Sequence, residues 1–499
     1  MGIVFRQSLK GTIYVYIGVL LGFITTAILF PRIYTTEQVG LLKVLVAYST
    51  LLAQLGTLGI TGVTILLFPH FRDNVKKHHG FLLFILLVGL LGFCLIMAFR
   101  GGIDSLLIKL NIEKSELFIG YIKALYFLVF FQIFFSILDA YYSSLFNSVY
   151  GAFLKEVVQR VLIIIAIGLF FLNLVSFRSF VLLYITAISF PTVMLVIRLV
   201  RDNQFSLKAE WGYFNKGIVR QILSISVFNI INGLSMIIIQ NVDLLMVNSL
   251  VGISAAGVYS ICFFFGIVVS LPARSIIKIS NVVASDAWKN NDRQTLNDIY
   301  YKSCLNLFII GFILFLGLWV NIENIFHILG NDYRPGKWVI FFIGLSSLID
   351  MATGANNSIM GTSKYYWVQT IFIILLVIMV IVSNILLIPI YGISGAALGS
   401  VISLSVLNLL RFLFLYFKFD FQPYNRRFPL IIIIGVVSYI IAAIIPRFSN
   451  FIADIAVRSS VLALLYGSTV YFLKVSDDIN QKTDGFLQSL RMKIGNNRK

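Results

Sequence analysis

Arg274 and Lys278 stand four residues apart in SLPARSIIKIS (270–280). On a helix that spacing puts both on one face. Two cations on one stripe can hold an anion, and the planar fork of arginine suits a phosphate, to which it donates two parallel hydrogen bonds. The surroundings are strongly apolar, and a charge placed in hydrocarbon costs at least ~2.5–3.5 kcal/mol on insertion scales. Either these two cations reach the water surface, or they line something wet. Lys43, Lys123 and Arg411 are further cations inside apolar stretches, and Asp139, Asp243 and Asp350 are acids there. Cations so placed suit an anionic substrate, and acids so placed suit proton or sodium coupling. Glu156 and Arg160, at i and i+4, can neutralise each other. Asp350, in SSLIDMATGANNS, is followed by Asn356 and Asn357 and is expected to face a cavity or a cation.

Other chemistry is poorly supported. GNDYRPGK (330–337) has five residues between its glycines, where a P-loop has four, and Trp338 where a P-loop has Ser or Thr. Cys94, Cys262 and Cys304 form no CxxC pair and no zinc spacing. His78 and His79 share a turn near His70, and His327 stands apart, too few ligands for a metal site. No catalytic residue, cofactor or metal is expected, and the chain reads as a non-enzyme.

The elements carrying these residues are membrane helices. Of 499 residues 59% are hydrophobic and only 12% charged, half the charged share of a soluble chain. Apolar runs exceed the ~20 residues needed to cross a bilayer as a helix. Fourteen spans are predicted: 12–31, 39–68, 79–99, 117–147, 150–174, 179–199, 218–248, 253–284, 303–328, 338–360, 365–389, 393–417, 428–446 and 455–473. The second, fourth, seventh and eighth are too long for one upright crossing. Of 39 Lys and Arg, 24 fall in segments on the N-terminal side and 9 on the other. That asymmetry predicts both termini in the cytoplasm, and it accounts for most of the +18 net charge without nucleic acid. The first apolar run, preceded by Arg6 and Lys10, is too long for a signal peptide and reads as a retained span. The longest external loop, Arg100 to Glu116, has the length of a simple connection. The polar tail from Lys474 can form a surface helix with Ile479, Phe486, Leu487 and Leu490 on one face.

The chain repeats itself faintly. FRQSLKGTIYVYIG (5–18) is followed by Gly40, and VRQILSISVFNIIN (219–232) by Gly257. Two lobes are predicted, 1–210 and 211–420, followed by spans 13 and 14 in 421–475 and a cytoplasmic tail, 476–499. VGISAAG (251–257) and YGISGAA (391–397) each read as a tight glycine turn into a helix, with Ser254 or Ser394 available as cap. GVLLG (18–22) and GAALG (395–399) read as close helix contacts.

QNVDLLMVNSLVGISAAGVYS (240–260), IPIYGISGAALGS (388–400) and RQSLKGT (6–12), with fourteen spans in two repeated lobes, resemble the polysaccharide-exporter branch of the multidrug/oligosaccharidyl-lipid/polysaccharide (MOP) flippase superfamily. That branch includes the O-antigen-unit flippases and, more distantly, the lipid II flippase. The resemblance implies an all-α polytopic protein with two six-helix lobes in a V around a central cavity, plus two C-terminal helices. It implies a bacterial inner-membrane flippase that moves a polyprenyl-diphosphate-linked oligosaccharide by alternating access, for O-antigen, lipopolysaccharide, capsule or exopolysaccharide synthesis. The tail stays in lipid, and the partners are membrane lipids and polysaccharide polymerase machinery. Arg274 matches a position where relatives place a cavity arginine. With Lys278 it is the expected phosphate contact, and Lys43, Lys123 and Arg411 are further cavity cations. Asp350, Asp139 and Asp243 are the expected H+ or Na+ coupling groups. The lipid II flippase carries arginine within span 1, and GTIYVYIGVLLGFITTAILF has none. Tyr14, Tyr16, Tyr48, Tyr126, Tyr141 and Tyr142 offer rings for stacking on sugars. Two rivals are a cation-coupled multidrug antiporter of the same superfamily, which a net-positive lumen opposes, and a membrane glycosyltransferase or polymerase, which would need external catalytic loops.

Overall fold

The computed structural model describes residues 2–73, 75–111, 115–208 and 210–496. The side chains of residues 2–10, 12, 486, 487 and 489–496 are outside that description, and with them Arg6, Lys10, most of RQSLKGT and the tail residues Phe486, Leu487 and Leu490. Among the described residues there are helices and turns and no strand. Among the described residues thirteen helices are long and apolar enough to cross a membrane. The chain divides into two compact units, Met1–Ile261 and Cys262–Lys499.

The first unit opens with α1 (Gly2–Phe23), which runs through a π-helical turn, Ile24–Leu29, into α2 (Phe30–Ile33). The long second span is two helices, α3 (Thr36–Gly56) and α4 (Ile60–Phe71). They part at Leu58 and Gly59, both at positive φ, a conformation that glycine adopts at little cost. TTEQ starts α3 as a capping box: the Thr35 side chain accepts the Gln38 N–H and the Gln38 side chain accepts the Thr35 N–H. α5 (Phe81–Ala98) follows, and the predicted external loop is itself a helix, α6 (Arg100–Asn111). It is held by Arg100 on Asp104 at 3.2 Å and by the Tyr126 hydroxyl donating to Asp104 at 2.6 Å. α7 (Glu116–Ser144) is unbroken and forms the middle of the unit, with Leu128, Val129, Ile133 and Ile137 wholly buried.

The fifth predicted span is α8 (Ser148–Phe153) and α9 (Gln159–Phe171), joined by a second π turn, Leu154–Val158. It carries Lys155, Glu156 and Arg160 and completes the fourteen. α10 (Phe177–Arg201) and α11 (Lys216–Leu250) follow, the latter unbroken and packed on α3 and α4. The turn between α4 and α5 places Lys77, His78 and His79 in three successive left-handed conformations. His79 Nδ1 meets Glu210 at 2.7 Å, and its ring stacks on Tyr213 at 4.1 Å. His78 Nε2 meets Gln204 at 2.8 Å. These histidines tie two polar connections together.

α12 (Ile253–Ile267) crosses the boundary between the units. In its first turns the two glycines of the repeat meet. A Cβ on Gly40 would lie 1.9 Å from the Ile253 carbonyl oxygen, and one on Gly257 would lie 1.9 Å from that of Thr36. Ser254 does not cap the helix; its hydroxyl bonds that of Thr36 at 2.7 Å. Backbone lies on both sides of this contact and has no rotamer with which to yield. Gly40→Ala is therefore expected to destabilise the protein by about 1–3 kcal/mol, read as a lower melting temperature in detergent. Gly101→Ala, where nothing lies within 4 Å of the added carbon, should melt as wild type does.

In the second unit a turn at Val268–Ser270 and Pro272 separates α12 from α13 (Ala273–Lys289). The eighth predicted span therefore ends near Ser270, and SIIKIS belongs to a distinct helix. α14 (Arg293–Val320) is the core helix, burying Leu305, Phe308, Phe312 and Leu316. After α15 (Ile322–Leu329), the P-loop look-alike forms a 3-10 turn whose following Lys337 pairs with Glu323 at 3.1 Å. The tenth predicted span breaks into α16 (Lys337–Ala352) and α17 (Asn356–Gly361) around Gly354, at φ +55. α18 (Tyr366–Tyr391) and α19 (Ile393–Phe419) pack closely: Cβ atoms on Gly395 and Gly399 would strike the Leu387 carbonyl and the Ser383 hydroxyl. Gly392 at positive φ makes the turn between them, and no side chain caps α19. α20 (Arg427–Ile444) and α21 (Phe451–Phe472) form the last hairpin, and α22 (Asp477–Asn496) is the tail helix.

Candidate functional site

Polar clusters interrupt the apolar packing within each unit. In the first unit, α1 has no side chain at Gly18 and Gly22, and these gaps admit Glu156 and Arg160: Cβ atoms there would lie 2.4 Å from Glu156 Oε2 and 1.8 Å from Arg160 Nη1. The GVLLG contact is thus a contact with a charged pair, Arg160 Nη2 to Glu156 Oε2 at 2.9 Å. Lys43, half-buried on α3, sits 5.4 Å from the centre of the Phe30 ring, with the Arg160 charge in electrostatic reach. Glu156 balances Arg160, so Lys43 leaves this part of the unit net positive.

Further along α7, Asp139 Oδ1 is buried against Gly151 without a hydrogen-bond partner among the described residues. Lys155 acts on it electrostatically without forming an ion pair. A cavity of about 200 Å³ opens beside Lys155, between α3, α7, the second π turn, α10 and α11. Asp243 is buried on α11 and accepts the Tyr259 hydroxyl at 2.9 Å. Lys123 is exposed on α7.

In the second unit Arg411 is 7% exposed. Its guanidinium donates to Gln369 Oε1 at 3.2 Å, to Asn408 Oδ1 at 3.4 Å and to Asn357 Oδ1 at 3.5 Å. All three acceptors are neutral amides. Asn408 also receives Asn356 at 3.1 Å and donates to Asp350 Oδ1 at 3.2 Å. Asp350, in the last turn of α16, is therefore joined to Arg411 through one amide, and its carboxylate is exposed. The α16–α17 break makes this possible. It frees Asn356 and Asn357 to start a new helix facing α18 and α19, and the Ser303 hydroxyl accepts the Ala355 N–H released by the break at 2.9 Å. Discontinuous membrane helices recur where intramembrane substrate and ion sites are built.

Arg274 and Lys278 share the exposed face of α13, as their spacing predicts. They lie beyond Pro272, outside the span Ile253–Ser270. Of the tyrosines considered for stacking, Tyr141 and Tyr142 are at most 2% exposed and Tyr142 donates to Asp202 at 2.7 Å, so they belong to the core. Tyr48 and Tyr126 are buried as well, while Tyr16 is open at 58%.

Some polar groups escape a reading based on charge. Gln369 and Asn408, which hold Arg411, are neutral. Gln54, Gln132 and Gln159 face the cavity of the first unit. Their signal is a set of polar i,i+4 pairs within apolar helices: Thr50 with Gln54, Gln132 with Ser136, Lys155 with Gln159. Asp454 and Arg458 make a buried ion pair at 2.9 Å on α21 that carries the same spacing.

The sequence matches no protein-family model and no curated protein. Solved structures do match the fold. The lipid II flippase MurJ, in an inward closed conformation, aligns over 94% of this chain and 100% of its own with a TM-score of 0.73 at 16% identity. An inward-facing multidrug resistance MATE family transporter of the MOP superfamily aligns over 84% of this chain and 98% of its own, with a TM-score of 0.60 at 16% identity. An outward-facing structure of such a transporter gives 0.53 over 83% and 96%, again at 16% identity. The chain is a multi-pass membrane protein with the helical fold shared by this flippase and these MOP-superfamily transporters.

Proposed function

We propose that the protein is a flippase for a polyprenyl-diphosphate-linked oligosaccharide, carrying the headgroup across the bacterial cytoplasmic membrane by alternating access of its two lobes, 1–210 and 211–420. The observation that carries this reading is Arg411, a buried guanidinium whose hydrogen bonds among the described residues all go to amide oxygens. A cation kept inside a membrane protein without a direct carboxylate partner is poised for an anion, and its planar fork suits a phosphate. Lys43, with an aromatic face for its contact, supports the same reading from the other unit. The full-length likeness to a lipid II flippase supports a lipid-linked substrate. Headgroups of phosphates and sugars cannot cross hydrocarbon without a polar route, because each desolvated charge or hydroxyl is too costly. Synthesis of a surface polysaccharide, with both termini cytoplasmic and a polymerase downstream, is the setting that such a substrate implies.

Asp139 is the leading coupling group for H+ or Na+, since one carboxylate oxygen is buried and has no hydrogen-bond partner among the described residues. Asp350, already joined to Arg411 through Asn408, is second, and Asp243, engaged by Tyr259, third.

The test is transport of a fluorescent polyprenyl-diphosphate oligosaccharide in proteoliposomes. Wild type is expected to translocate it. Arg274→Ala and Lys278→Ala are expected to slow it only a few-fold, because exposed charges contribute ~0–1 kcal/mol. Absence of wild-type translocation for every diphosphate-linked oligosaccharide offered would remove this reading. Equal rates for both variants and wild type would place α13 outside the substrate path.

A further inference from the structure

The cavity of the first unit holds hydrogen-bonding capacity that the protein leaves unspent. Gln132 donates its side-chain amide to the Ser49 hydroxyl at 2.9 Å, and its side-chain oxygen accepts no hydrogen bond among the described residues. Gln54 and Gln159 make no side-chain hydrogen bond among the described residues, and both line the cavity. The Thr50 and Ser136 hydroxyls donate to the carbonyls of Val46 and Gln132, so their oxygens still accept. Phe131 and Phe135 supply a flat apolar wall. Lys155 stands at this wall, 5.5 Å from the centre of the Phe135 ring, with no carboxylate within ion-pair distance among the described residues.

The second π turn builds this arrangement. Leu154–Val158 widens the helix where α8 passes into α9. Lys155 and Gln159 then face the cavity, while Glu156 and Arg160 face Gly18 and Gly22 of α1. A π turn is an uncomfortable insertion in a helix and is found disproportionately at functional sites. Amides inside a membrane protein need a partner, because lipid offers none.

We propose that this cavity is a saccharide subsite that takes one sugar ring carrying a negative charge at its edge. Each carboxamide offers a donor and an acceptor side by side, the pairing that neighbouring ring hydroxyls require. The phenylalanine faces take the apolar side of the ring. The single cation, Lys155, faces the charge, which is a sugar carboxylate or the phosphate that joins sugar to lipid. About 200 Å³ is below the ~300–1,000 Å³ of pockets for drug-sized ligands, which is room for one ring. The proposal deepens the flippase reading and rests on it for the source of the sugar.

The experiment reads occupancy directly. Cys94 is exposed and is replaced by serine, while Cys262 and Cys304 are buried. Ser136→Cys then places one reactive thiol in the cavity of protein purified into nanodiscs. A saturating hexuronate or hexose 1-phosphate is expected to slow thiol labelling about tenfold, the effect of ligand at ~10 times its Kd. Neutral hexose should protect less, and inorganic phosphate not at all. Adding Gln159→Leu should abolish protection, and Lys155→Met should reduce both charged sugars to the level of the neutral one. Protection by the hexuronate identifies a carboxylate, and protection by the sugar phosphate alone identifies the linking phosphate. Labelling unaffected by any sugar overturns the proposal, as does equal protection by inorganic phosphate. If Ser136→Cys does not fold, Thr50→Cys on α3 reports from the same cavity. Transport is scored separately: wild-type transport without sugar protection removes the subsite alone, and sugar protection without transport removes the flippase reading alone.

Discussion

Arg411→Gln is expected to lower transport of a diphosphate-linked oligosaccharide by about 10–100-fold while the protein still folds. Hydrogen bonds to a charged group contribute ~1.5–3 kcal/mol each, and each 1.4 kcal/mol is about a factor of ten. The glutamine amide can still donate to one of the three amide oxygens now held by Arg411, so the surrounding helices keep part of their network. What disappears is the charge. Arg411→Lys keeps the charge and loses the planar fork, and it should fall between glutamine and wild type. The measurement is initial translocation rate per inserted molecule, with melting temperature as control. Wild-type transport by Arg411→Gln would make Arg411 a structural cation and withdraw it from the substrate path. Asp350→Asn tests the neighbouring charge: if Asn408 links the two groups into one unit, Asp350→Asn and Arg411→Gln together should cost less than the sum of their separate effects.

The largest expected loss of stability follows from Arg458→Leu, at about 3–5 kcal/mol, the cost of stripping one member from a buried ion pair. Arg458 and Asp454 are both nearly inaccessible, with side chains 6% and 4% exposed. Arg458 does two things. Its Nε donates to Asp454 at 2.9 Å, and its terminal nitrogens donate to the carbonyls of Ala442, Ala443 and Ile445 at 3.2, 3.4 and 2.6 Å. Those carbonyls end α20, where no later backbone N–H is in register to bond them. Leucine would leave them dry and leave a buried carboxylate held only by Asn324 and the Phe448 N–H. Replacing Asp454 with asparagine in the same protein should recover part of the loss. A fall in melting temperature with near-normal transport per folded molecule is the expected signature. Unchanged stability would mean that water already serves these carbonyls.

Comparison of these two arginines shows where sequence reading succeeds. Arg411 is conspicuous as a cation amid LSVLNLLRFLFL, and its chemistry follows from its type. Asp454 and Arg458 have an equally plain i,i+4 signature, but at the end of a span that spacing suits an interfacial pair as well as a buried one. Only the turn of the α20–α21 hairpin, which brings the end of α20 over Arg458, makes them interior.

By itself the sequence determined the class of the protein and the number of its membrane elements. Long apolar runs with few charges admit only helices in a bilayer, because every backbone group must then be satisfied within its own segment. It also marked two close contacts, since Gly18 and Gly22 of GVLLG and Gly395 and Gly399 of GAALG lie where a Cβ would collide with a neighbour. The tertiary structure decided where the long spans break, which amides gather around Arg411, and that Gln54, Gln132, Gln159 and Lys155 share one cavity. The reason lies in the solvent. A helix in water shows its buried face through the contrast between apolar and polar residues. A helix in lipid is apolar on both faces, because hydrocarbon and protein interior make the same demand. Which of its few polar residues turn inward, and toward what, is fixed only when neighbouring helices pack.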